Sequence, residues 1–114
     1  MGKNKVINIE NGMPTVDEAR QRLATELQKA KREGISSLKI IHGYGSTGVG
    51  GKLRVALRKS LTLRVREGLI KAFVPGEDWS VFDESTRLIL NLCPELERDR
   101  DLQNGNPGIT IILL

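Results

Sequence analysis

The 114-residue chain has one cysteine, one histidine, four prolines and four aromatic residues, and each scarcity excludes something. A lone Cys93 cannot form an intrachain disulfide, and without metal-type spacing it reads as a small buried hydrophobe in a reducing compartment. With His42 as the single imidazole, sites built on two histidine ligands are excluded, and any Ser/His/Asp triad would have to use it. Tyr44, Phe73, Trp79 and Phe82 are too few to build a core, which must therefore be aliphatic; Trp79 and Phe82 read as a lid over it. No apolar run reaches bilayer length, and the opening "MGKNKVINIENG" has neither a secretory h-region nor the Ser or Thr of a myristoylation signal. The expectation is a single cytoplasmic domain over residues 1–114, with no membrane partner.

What the chain does have is charge, separated along its length. From Lys52 to Lys71 seven basic residues face one acid, Glu67, whereas from Pro75 to Asn104 eight acids face three arginines. With a net charge of +4 and a pI near 9.5, the chain suits an anionic partner without identifying one.

Periodicity predicts the elements. "KVINI" (Lys5 to Ile9) is a strand with apolar positions Val6, Ile7 and Ile9. Thr15 and Glu18 form a capping box ahead of Val16, Ala19, Leu23, Leu27 and Ala30 at helical spacing, and Gly34 stops the helix. "SSLKII" (Ser36 to Ile41) is a strand running into a glycine-rich loop. A second helix from Gly50 or Gly51 turns Leu53, Ala56, Leu57, Ser60 and Leu61 inward and Lys52, Arg54, Arg58 and Lys59 outward. "LIKAFV" (Leu69 to Val74) and "ITIILL" (Ile109 to Leu114) are further strands, the last one antiparallel. The acidic insertion, about residues 75–106, carries a helix from Asp83 to about Leu92. The expected fold is α/β: a two-layer βαβαββ sandwich with a four-stranded mixed sheet, two main helices on one face and a helical insertion before the last strand.

"IIHGYGSTGVGGKLR" (Ile40 to Arg54) is the stretch that invites chemistry. A Walker loop fails, because Ser46 stands where glycine is needed and Leu53 where a hydroxyl is. Gly43, Gly45 and Gly48 match Gly-x-Gly-x-x-Gly literally, but Glu67 precedes the third strand instead of ending it, so the ribose-binding acid is misplaced. What remains is a set of backbone N–H groups before a helix, extended by a basic face, which suits a phosphate; the plain alternative is a tight turn needing glycine. His42 reads either as a histidine bonded to its own loop or as a general acid or base. "DRDLQNG", from Asp99, approximates a calcium loop but has Gly105 one place late and Thr110 where a glutamate belongs, so no metal site is assigned.

On His42, Gly43, Gly45, Ser46, Gly48, Gly50, Gly51, Leu53 and Arg54, with the "TVDEARQRLATEL" helix and the "GITIILL" strand, the chain resembles the Smr (small MutS-related) domain family, as a stand-alone member similar to the C-terminal domain of MutS2. Order and spacing agree over Val6 to Val74 and Pro107 to Leu114. The resemblance implies a βαβαββ fold similar to the C-terminal domain of a bacterial translation initiation factor. It also implies binding to DNA or RNA, structured or ribosome-associated, with endonuclease activity in many members. Of the two motifs linked to that activity, His-Gly-x-Gly is matched by His42, Gly43, Tyr44 and Gly45. The Asp-Leu-His-Gly motif is not: Asn8 falls at the Asp and Glu10 at the His, which tells against hydrolysis.

The leading expectation is therefore nucleic-acid binding through His42, Gly43, Tyr44, Gly45, Ser46, Gly48, Gly50, Gly51, Lys52, Arg54 and Arg58. The rivals are an endonuclease using His42 with Glu10 or an insertion carboxylate and Mg²⁺ or Mn²⁺, and a protein-docking module whose acidic insertion is removable without unfolding the core.

Overall fold

The computed structural model describes residues 3–44 and 49–114, the side chains of Val49 and Gly50 excepted. Strand β1 (Lys3–Asn8) leads to helix α1 (Val16–Arg32), β2 (Ile35–Ile41), α2 (Val49–Arg66), β3 (Ala72–Pro75), α3 (Glu84–Leu92) and β4 (Ile109–Leu113); short 3₁₀ turns at Gly76–Asp78 and Pro94–Arg98 flank α3. The sheet order is β1-β2-β4-β3: β1 and β2 are parallel, and β4 enters between β2 and β3, antiparallel to both. The chain thus has the expected mixed four-stranded α/β sheet.

Local chemistry sets the helix limits. Thr15 accepts from the Glu18 amide at 3.2 Å while the Glu18 carboxylate accepts from the Thr15 amide at 2.9 Å, closing the capping box. Asp83 caps α3 by accepting from the Thr86 amide at 2.9 Å. The third strand starts later than its apolar pattern suggests; Leu69 and Ile70 lie in the approach to it, with Ile70 turned into the core.

Because side chains alternate across a strand, the sheet separates two apolar clusters. Leu38, Ile40 and Ile112 meet Leu23 and Leu27 of α1 and Leu53, Leu57 and Leu61 of α2. On the opposite face Ala72, Val74, Ile109, Ile111 and Leu113 meet Trp79, Ile89, Leu90 and Cys93. The insertion is thus a layer in its own right, contributing the whole far wall of the second cluster. This corrects the idea that it can be removed with the core left folded. Trp79 is not a lid: it is fully buried, with its indole N–H donating to Asp99 at 2.9 Å, while Phe82 is 84% exposed and covers nothing.

Polar ties close the insertion onto the sheet. Lys39 of β2 pairs with Asp99 at 2.7 Å and with Asp101. Gly76 fits so closely under Asn106 that an added Cβ would lie 1.9 Å from its carbonyl oxygen, so no side chain is tolerated there. Five insertion acids, Glu77, Asp83, Glu95, Asp99 and Asp101, bond to partners within the protein, so much of the acidic run is structural. Among the described residues no helix is long and apolar enough to cross a membrane.

Candidate nucleic-acid interface

The ends of β1 and β2 and the start of β4 meet at one edge of the sheet. The Ile9 and Glu10 amides donate to the Ile41 carbonyl at 2.9 and 3.3 Å, and the His42 and Gly43 amides both donate to the Gly108 carbonyl at 3.0 and 3.1 Å. Asn8 accepts from the Asn11 amide at 3.0 Å, a side-chain-closed turn that sends the chain toward α1. Glu10 and Gly43, far apart in sequence, are therefore neighbours here. The Glu10 carboxylate lies over Gly43, where an added Cβ would be 2.9 Å from it; at φ +79° Gly43 also occupies the left-handed region.

His42 points to the helix side of the sheet and is fully buried. Its Nδ1 lies 2.6 Å from the Gly43 carbonyl oxygen, which can only accept, so Nδ1 carries the proton. Nε2 then accepts from the Thr110 hydroxyl at 2.9 Å, and that hydroxyl accepts from Arg58 Nε at 3.2 Å. Burial above all, with the Arg58 and Arg54 charges adding to it and the Gly43 hydrogen bond opposing, lowers the His42 pKa to about 4. The ring is neutral at pH 7 and both nitrogens are engaged.

Arg58, expected on the outer face, reaches inward. Its two terminal nitrogens grip Glu77 at 2.9 and 2.8 Å in a bidentate pair, and one of them also donates to the Pro107 and Ile109 carbonyls at 3.3 and 3.1 Å. Burial, the largest single influence, works to raise the Glu77 carboxyl, but the Arg58 hydrogen bonds, a backbone hydrogen bond and the Arg58 and Arg54 charges together hold the group below its usual value. The Glu77–Arg58–Thr110–His42 chain links insertion, α2, β4 and loop. Nothing in the sequence pattern announced it, because its members are up to 68 residues apart.

The remaining predicted residues fall into three sets. Lys52 is exposed and Arg54 half-buried on the first turns of α2, with Gly51 just ahead of them. Tyr44 is half exposed beside the loop. Gly45, Ser46 and Gly48 lie outside the described residues, as do the side-chain surroundings of Gly50. Helix α2 carries no acidic residue, whereas α1 opens with Asp17 and Glu18. The described residues contain no group of three or more side chains able to hold a metal ion; Asp99 and Asp101 are committed to Lys39.

These features define a small α/β domain whose glycine loop feeds a basic helix from the carboxyl end of a parallel strand pair. A family model described as the Smr domain matches residues 11–114, and the chain belongs to that family. The match begins just beyond Glu10. Among solved structures, the Smr domain of Thermus thermophilus MutS2 is similar at 22% identity and a TM-score of 0.56, with 98% of this chain and 96% of that one covered, which shows a shared fold. A comparison with curated proteins gives no match.

Proposed function

We propose that the chain binds the phosphate backbone of DNA or RNA at the start of α2, with Lys52 and Arg54 as direct contacts. The observation that carries this reading is the charge of α2: six basic residues, no acid, and Lys52 and Arg54 beside the end where the helix dipole is positive. Membership of the Smr family supports it. Arg58 enters as a positioning residue, its guanidinium being held by Glu77, Thr110 and two carbonyls. His42 likewise orients the loop through the Gly43 carbonyl.

Hydrolysis is not favoured, since the one imidazole is neutral, buried and bonded at both nitrogens, and Glu10 takes the place of a motif histidine. The test is fluorescence polarisation of labelled single-stranded, duplex and branched DNA and RNA across a salt series, with the samples run afterwards on denaturing gels with and without Mg²⁺ or Mn²⁺. Binding that falls steeply with salt, with strands left intact, is expected. Absence of binding to every probe overturns the proposal, and metal-dependent cleavage lost in His42→Ala restores the endonuclease.

A further inference from the structure

A groove of about 490 Å³ opens on the sheet face away from α1 and α2, between β1, β2 and the Asp99–Gly108 segment. Its apolar lining is Val6, Ile41 and Ile109, with Val6 60% exposed. At the rim stands Tyr44, 56% exposed, its ring lying against the backbone of Gly108, where an added Cβ would come 3.2 Å from Cδ1. Glu10, whose carboxylate lies over Gly43, and Arg100 also line the groove.

The electrostatics of this groove differ from those of α2. Lys39 is neutralised by both Asp99 and Asp101, and Trp79 steadies Asp99 from below. Asn106 has both ends of its amide engaged, donating to Asp101 at 3.1 Å and accepting from the Gly108 amide at 2.9 Å. Glu10 makes no side-chain hydrogen bond among the described residues and is exposed. A phosphate entering here would meet three carboxylates against two cations, one already paired. A flat, uncharged ring with donors on its edge meets an apolar floor, an aromatic face and an acceptor pair.

We propose that this groove receives one unpaired nucleobase, stacked on Tyr44, and that the Glu10 carboxylate selects guanine. Guanine presents N1–H and N2–H₂ side by side, the two parallel donors a carboxylate can accept together; no other standard base does. Base stacking on aromatic side chains is tolerant of sequence, so Tyr44 provides affinity and Glu10 the preference. The inference rests on the nucleic-acid reading above: the strand passes across the edge of the sheet at Gly43, its phosphate toward Lys52 and Arg54 and its base over the opposite face. It follows that duplexes, whose bases are paired and stacked, use only the phosphate part of the site.

The test is a titration of the full chain, followed by amide and methyl NMR, with GMP, AMP, CMP, UMP and ribose 5-phosphate. GMP is expected to shift the Val6, Ile41 and Ile109 methyls and the Tyr44 ring at lower concentration than the other nucleotides, while ribose 5-phosphate shifts only the Lys52 and Arg54 region. Tyr44→Ala should weaken GMP about tenfold, and Glu10→Gln, at an exposed site that does not support the fold, should erase the preference for guanine. Methyl signals that stay still while the α2 amides respond overturn the groove and leave phosphate binding standing; silence in both regions overturns both. A guanine preference that survives in Glu10→Gln removes the assigned role of the carboxylate.

Discussion

On the helix side of the sheet, Leu23, Leu27, Leu53, Leu57 and Leu61 recur at helical spacing and pack on Leu38, Ile40 and Ile112, a core made by periodicity alone. On the insertion side, one buried tryptophan and a short helix are drawn onto the strands by polar ties: Trp79 to Asp99, Lys39 to Asp99 and Asp101, Arg58 to Glu77. The contrast separates two ways of closing a sheet. The first is distributed over many aliphatic contacts. The second concentrates its specificity in a few long-range bonds, and one of these, through Thr110, ends on His42 at the candidate interface.

The largest effect is expected from Trp79→Ala, which removes the largest buried side chain of the insertion face and leaves Asp99 without its indole partner. A loss of about 3–5 kcal/mol in urea unfolding is expected, with Lys39 and Asp101 signals perturbed and α1 signals retained just below the transition. An effect equal to that of an exposed substitution would show that the second cluster is not integral.

Next in size is a pH effect confined to the histidine. His42 has a folded pKa of about 4 against an unfolded value near 6.5, so the unfolded chain binds the extra proton first as pH falls. Its contribution is complete above about pH 6.5, is lost as pH falls from there toward 4, and is level below. Up to about 3 kcal/mol is at stake across that window. Denaturant midpoints measured from pH 7.5 to 5, above the range where the lowered Glu18, Glu77, Glu95 and Asp101 carboxyls contribute, should follow this slope, and His42→Gln should flatten it.

Arg58→Met should cost about 2 kcal/mol, since it unpairs Glu77 and removes donors from Thr110 and the Pro107 and Ile109 carbonyls. Because Glu77 can turn to water, its side chain being 41% exposed, Glu77→Gln should cost less. A reversed order of the two would contradict the assignment of Arg58 as the hub. Smallest is Thr15→Ala on the helix side, expected to cost about 1 kcal/mol through the lost cap, with no effect on nucleic-acid binding in the polarisation assay.

The sequence disclosed the helix side well, because its signals are local: the Thr15–Glu18 box, the spacing of Ala19, Leu23 and Leu27, and Asp83 at the start of α3 can all be read within a few residues. It disclosed less where partners are remote. The acidic insertion read as a docking element, yet Asp99 and Asp101 fold back onto Lys39, and Arg58 turns from solvent to Glu77, pairings that no spacing rule connects. Val6 reads as core by its type, but strand alternation puts it on the open face, where it helps line the groove beside Tyr44. Proximity of Glu10 to Gly43 likewise depends on the β1–β2 register, which the strand patterns alone do not fix.

The most direct test of phosphate binding at the start of α2 is the salt dependence of single-stranded oligonucleotide binding in Lys52→Ala and Arg54→Ala, set against Lys29→Ala at the far end of α1. All three remove one charge. With phosphate bound at the start of α2, the slope of log affinity against log salt falls by about 0.7 in each of the first two and stays unchanged in the third. Equal slopes in all three would contradict it, because the attraction would then come from net charge and not from this site.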